Sequence, residues 1–86
     1  MKQKIIKCAG MIWVFLGKRE EVTLAQLSKS IKEKSEVIFQ ALGWLAREDK
    51  IRYRETKRSI YVSLVDAEKE IFKSVAVMKE TEFLGK

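Results

Sequence analysis

Five cations and one acid fall within nine residues: Lys50, Arg52, Arg54, Lys57 and Arg58 against Glu55. Side chains of this kind neutralise phosphates. Each cation that meets a nucleic-acid phosphate releases condensed counterions, which gives salt-sensitive binding without sequence information. A second basic group, Lys29, Lys32 and Lys34, comes just before the stretch Glu36 to Asp49, which carries three acids against Arg47 alone. Within that stretch Gln40 has the chemistry to address a base edge, Glu36 could accept from a cytosine amino group, and Arg47 suits a phosphate. The competing reading of the cation run is a solvated edge whose charge keeps a strand from pairing with other chains. On the residues alone both readings stay open.

Other chemistries have little to work with. The 86 residues include no His and one Cys, so no zinc-site spacing exists. Gly10, Gly17, Gly43 and Gly85 are isolated, which leaves no phosphate-cradling loop, and the acids occur without a partnered base. The expectation is therefore no catalytic residue, no metal, no cofactor and no small-molecule ligand. Cys8 lies in an apolar segment and cannot form an internal disulfide; it reads as a small buried hydrophobe in a reducing compartment, the cytoplasm. The start is basic with an apolar middle, but it lacks a small-residue cleavage site. Its run from Met11 to Leu16 is also far short of the roughly 20 residues a membrane span needs, so it is expected to be part of the mature fold. The net charge of +6 fits a polyanionic partner without requiring one, so the positions of the charges must decide.

The elements that would position these residues follow from periodicity. Ile5, Ala9, Ile12 and Leu16, widened by Ile6, Cys8, Trp13 and Phe15, predict a helix over 2–16, with Gly17 as a left-handed stop. Val22 to Leu24 is β-like. Thr23 and Gln26 have capping-box spacing, so a helix is predicted over about 25–33 with Leu27 and Ile31 inward. "KEKS" is a tight break, and Ser35 is the expected N-cap of a helix over 35–48, whose inner face is Ile38, Ala41, Leu42 and Leu45. Ile51 to Arg54 and Ile60 to Leu64 alternate with period two around the charged tip "ETKR", which predicts a hairpin over 51–64. That alternation puts Arg52 and Arg54 on one outer face. A last helix over 66–80 opens with acids and carries Ala67, Ile71, Val75 and Met78 on one stripe; "TEFLGK" reads as a tail.

The segment "ALGWLAREDKI", with core leucines Leu42 and Leu45 and a strand beginning at Ile51, resembles the end of the third helix of winged helix domains and its entry into the wing. The order of elements matches too. The chain resembles small, stand-alone bacterial winged helix-turn-helix proteins of uncharacterised function, over about residues 1–65. The resemblance implies an α+β fold: a three-helix core, a two-stranded β-hairpin wing with a short first strand, and here an additional C-terminal helix. It also implies a DNA-binding ancestry. On this plan residues 1–65 form the domain, 66–80 a helix packing on the same domain or on a partner subunit, and 81–86 a tail.

Double-stranded DNA is then the expected partner, met through Lys29, Lys32, Lys34, Gln40, Arg47, Lys50, Arg52, Arg54, Lys57 and Arg58. A protein-interaction or dimerisation module on the same fold, without DNA binding, is the alternative. At about 100° per residue the outward strip of the third helix is Glu36, Gln40, Gly43 and Arg47, with Val37 and Trp44 on its shoulder. Gly43 costs roughly 1 kcal/mol in a helix interior; room for packing beneath Trp44 is the favoured explanation. Val37 and Trp44 read as packing residues, against the wing or another subunit. Met11 and Val14 project from the far side of the first helix, more apolar surface than one small domain easily covers. A homodimer is expected through Met11, Val14, Phe15, Ile71, Val75 and Met78; in a monomer the last helix would fold back over Met11 and Val14.

Overall fold

The computed structural model describes the backbone of residues 1–84 and the side chains of residues 1–75. The order is α1 (Lys2–Gly17), β1 (Val22–Thr23), α2 (Leu24–Ser30), α3 (Ser35–Arg47), β2 (Ile51–Glu55), β3 (Ile60–Leu64) and α4 (Asp66–Leu84). The three strands form one antiparallel sheet in the order β1-β3-β2. Ile51 stands opposite Leu64, Tyr53 opposite Val62 and Arg54 opposite Tyr61. On its other edge β3 takes β1, with Val22 opposite Val62 and Thr23 opposite Tyr61.

The core is built where three periodicities meet. Cys8, Ala9, Ile12 and Leu16 of α1 face Val37, Ile38, Ala41, Leu42 and Leu45 of α3, and Leu27, Ile31, Val22, Ile51, Val62 and Leu64 close the cluster. Burial raises the pKa of the Cys8 thiol, with the Glu33 charge adding to the shift, so Cys8 behaves as a small apolar side chain. At the start of α2 the capping box is complete: the Gln26 amide donates to the Thr23 hydroxyl and the Thr23 amide to the Gln26 side chain. Such a cap contributes about 1 kcal/mol.

Several expectations need correction. Gly17 is not a left-handed stop: α1 runs through it to an αR cap at Lys18, and no described glycine has positive φ. The bare Cα instead admits the Phe72 ring of α4, which a Cβ would overlap. Phe72 packs edge-on against Trp13 at 5.3 Å between centroids, and the Trp13 indole donates to Glu68 at 2.8 Å. The face of α4 turned to α1 is thus Glu68 and Phe72, not the stripe of Ala67, Ile71 and Val75, all three of which are exposed. A large ring and a hydrogen-bonded carboxylate outcompete three smaller apolar side chains for that contact. The side chain of Met78 lies outside the described residues.

Boundaries move as well. α2 ends at Ser30 rather than 33, and Ile31 is buried from an extended cap. Ser35 is the first helical residue; Lys34 occupies the N-cap with no side-chain hydrogen bond. α4 continues to Leu84, so Thr81 to Leu84 are helical rather than part of a tail. No described helix is long and apolar enough to cross a membrane.

Candidate nucleic-acid interface

Two turns set the surface that α3 and the hairpin share. After α3, Asp49 takes φ 57°, the one positive φ at a described non-glycine residue. The Lys50 amide returns to the Leu45 carbonyl at 2.9 Å and the Asp49 amide to Ala46 at 3.0 Å. This left-handed closure satisfies the last carbonyls of α3 and aims β2 away from the helix. At the hairpin tip the Thr56 amide donates to the Ser59 carbonyl at 2.8 Å. The Thr56 hydroxyl accepts from the Ser59 amide at 3.0 Å and donates to its carbonyl at 3.1 Å. The tip is therefore an ordered turn that holds Lys57 and Arg58 at the end of the wing.

The hairpin cations fall into two groups. Toward the root, each has an acid of its own. Lys50 Nζ is 3.7 Å from Glu68 and Arg52 is 3.4 Å from Asp66. Arg54 grips Glu21 with two parallel bonds, Nε to Oε2 at 3.0 Å and Nη2 to Oε1 at 2.8 Å, and lies 4.3 Å over the Tyr61 ring. Arg52 and Arg54 do share the outer face, as the alternation required. Toward the tip, Lys57 and Arg58 form no ion pair among the described residues, and the same holds for Lys29, Lys32, Lys34 and Arg47. Those six, with Gln40, are all exposed.

The Glu21 carboxylate is held below its ordinary pKa by the hydrogen bonds from Arg54, with the Arg54 and Lys69 charges adding to the effect. Its folded pKa is depressed, so the pair contributes above the ordinary glutamate value and that contribution disappears as pH falls through the lowered one. Wild-type protein is expected to exceed Arg54→Ala in urea midpoint at about pH 7, with the gap closing below about pH 4. A gap independent of pH would show that the Tyr61 stacking, not the ion pair, holds Arg54.

On α3 itself Glu36, Gln40, Gly43 and Arg47 face outward as expected, but Val37 does not join them. It is 1% exposed and belongs to the core cluster, so the buried arc of α3 is wider than one stripe. A Cβ on Gly43 would meet nothing within 4 Å, so Gly43 makes no room for packing in this fold. Trp44 leans toward α1, bordering an apolar groove with Ile6, Gly10, Trp13 and Ile71. Phe39, to which the pattern assigns no role, is 54% exposed on the same outward side; its place outside the core set of α3 is the signal for it in the sequence. Met11 and Val14 border a second groove on α1 with no described α4 residue along it. Among the described residues no cluster of His, Cys, Asp or Glu could hold a metal ion.

A three-helix core whose third helix lies beside a two-stranded antiparallel hairpin, with a short strand on the far edge, defines a winged helix-turn-helix domain. The chain belongs to the winged helix-turn-helix domain family (DUF2582), whose model matches residues 1–64. No curated protein sequence matches it.

Solved structures of similar fold include a double mutant of ZitR from Lactococcus lactis in apo form, 17% identical, with a TM-score of 0.75 over 98% of this chain and 65% of that one. The transcriptional regulator HlyU from Vibrio vulnificus is 18% identical, with a TM-score of 0.70 over 90% of this chain and 85% of its own. F-93 of SSV1 is 17% identical, with a TM-score of 0.70 over 92% of each chain. The chain thus spans about two thirds of ZitR and most of HlyU and F-93. At these identities the likeness is one of fold.

Proposed function

We propose that this protein is a DNA-binding, transcription-regulator-like module of the cytoplasm, a binding protein rather than an enzyme, that docks on duplex DNA as a homodimer. The observation that carries the reading is the flanking of the exposed α3 strip by cations without an ion-pair partner among the described residues. Lys29, Lys32 and Lys34 lie before it, Arg47 at its end, and Lys57 and Arg58 at the wing tip. Cations at both ends of the helix and at the wing tip suit phosphate backbones on either side of a helix in the major groove. The root cations Lys50, Arg52 and Arg54, already paired with acids, serve first to aim the wing and only second to add positive potential. Selectivity from hydrogen bonding is modest, since Gln40 is the one amide on the strip.

In this reading residues 1–65 are the binding domain, and the following helix, which packs on it through Glu68 and Phe72, also meets a second subunit. Met11, Val14, Ile71 and Val75 are all more than a third exposed, and Phe15 is half-buried beside them. That is apolar surface on two helices which no described residue covers. Sedimentation at micromolar concentration is expected to give twice the 10.0 kDa chain mass, and Met11→Lys or Val14→Glu to shift it to monomer without unfolding. A species that stays at the chain mass at every concentration overturns the dimer.

The binding reading is tested by titrating salt against a random-sequence duplex. Expected is binding at low salt that weakens steeply, with roughly 0.9 unit of slope per phosphate contact. If no duplex is bound at low salt, the fold serves protein interaction instead, and the apolar groove by Trp44 becomes the leading surface.

A further inference from the structure

We propose that Phe39 reads the 5-methyl group of thymine in the major groove, so that the outward side of α3 selects DNA by apolar contact rather than by hydrogen bonds. The proposal rests on the duplex-binding reading and deepens it. Single exposed apolar side chains are common and need no explanation; what sets Phe39 apart is its company. It is 54% exposed and stands outside the set of half-buried hydrophobics that pack on the core. It sits beside Gln40 and one turn before Gly43.

Gly43 weakens the helix by roughly 1 kcal/mol relative to alanine, yet nothing in the fold needs its missing side chain, since a Cβ there would meet open space. A bare backbone one turn from an exposed ring lets α3 approach a surface closely at that point. The cations around the strip make that surface a polyanion. The floor of the major groove presents hydrogen-bonding groups at every base pair and a single apolar group, the thymine methyl. A phenyl edge on a helix that enters that groove has only this match. Gln40, its neighbour, pairs well with adenine, so the two together suit a site rich in A·T pairs.

The test begins with duplexes enriched by the wild-type protein from a randomised pool. Each thymine of an enriched duplex is then replaced by deoxyuridine, which removes the methyl and leaves every hydrogen bond. Expected is at least one position where the replacement weakens wild-type binding about fourfold, the factor that follows from burying one methyl-sized group. Phe39→Ala is expected to bind the thymine and deoxyuridine duplexes equally, with the salt slope unchanged because no cation is lost. Binding that is indifferent to deoxyuridine everywhere, or a Phe39→Ala variant that still prefers thymine at that position, overturns the proposal while leaving duplex binding intact. Absence of any duplex binding overturns both. If Phe39→Ala instead changes the sedimentation of the protein, the ring belongs to a protein interface and the proposal falls.

Discussion

Replacing Lys57 and Arg58 together by alanine is expected to weaken duplex binding roughly 10- to 50-fold at about 0.1 M salt and to make the dependence of log K on log salt shallower by about two units. Both residues sit at a turn that Thr56 fastens through its hydroxyl and amide, so they are presented from an ordered point. Neither has an acid beside it among the described residues, so no internal partner must be given up when a phosphate arrives. Arg52→Ala with Arg54→Ala makes the instructive comparison. The charge count alone expects an equal loss from this pair. Because Arg52 is held by Asp66 and Arg54 by Glu21 and Tyr61, each makes fewer phosphate contacts, and the salt slope is expected to change less than for the tip pair. Anisotropy titrations of a labelled random duplex at several salt concentrations measure both. A root pair that outweighs the tip pair would contradict the division of the wing into an aiming root and a binding tip.

The second large effect is on stability. Leu45→Ala is expected to cost about 2–5 kcal/mol and lower the melting temperature by roughly 10 °C or more, whereas Trp44→Ala next to it is expected to cost no more than about 1 kcal/mol. Leu45 is 2% exposed and Trp44 is 43% exposed. Leu45 packs between α1 and α3, and its carbonyl takes the Lys50 amide that starts the wing. A cavity there loosens the core and the aim of the hairpin together. Trp44 loses contact area against the rim of the α1 groove but leaves no buried void. Urea unfolding followed by circular dichroism separates the two. Comparable losses would mean that Trp44 seals the groove more tightly than its exposure indicates.

What could be read from the residues was what depends on neighbours in the chain. The Thr23 and Gln26 cap is a four-residue device and appears where its spacing places it. The hairpin follows from alternation on either side of a charged tip, and Arg52 and Arg54 share a face because the period is two. What could not be read depends on which surfaces meet. Val37 is buried because the core cluster reaches round the flank of α3, which no single helical stripe encodes. The pairing of Arg54 with Glu21 spans 33 positions and exists because β1 and β2 both flank β3, bringing Thr23 and Arg54 opposite the same Tyr61. Gly17 looked like a helix stop, and its use emerges only once Phe72 of α4 lies against it. Gly43 shows the reverse: it looked like a packing residue, and the finished fold leaves it bare. Positions where the fold gives no local reason for an unfavourable residue are where binding is the natural explanation.

In the proposed complex the outward side of α3, the turn before it and the tip of the wing form one surface for duplex DNA. Amide chemical-shift mapping during titration with a duplex tests it most directly. Shifts are expected to gather at Lys32, Lys34, Phe39, Gln40, Gly43, Arg47, Lys57 and Arg58, with Ile6, Met11, Val14 and Ile71 unmoved. Shifts confined to the apolar grooves along α1, or no shifts at any low-salt condition, would contradict it.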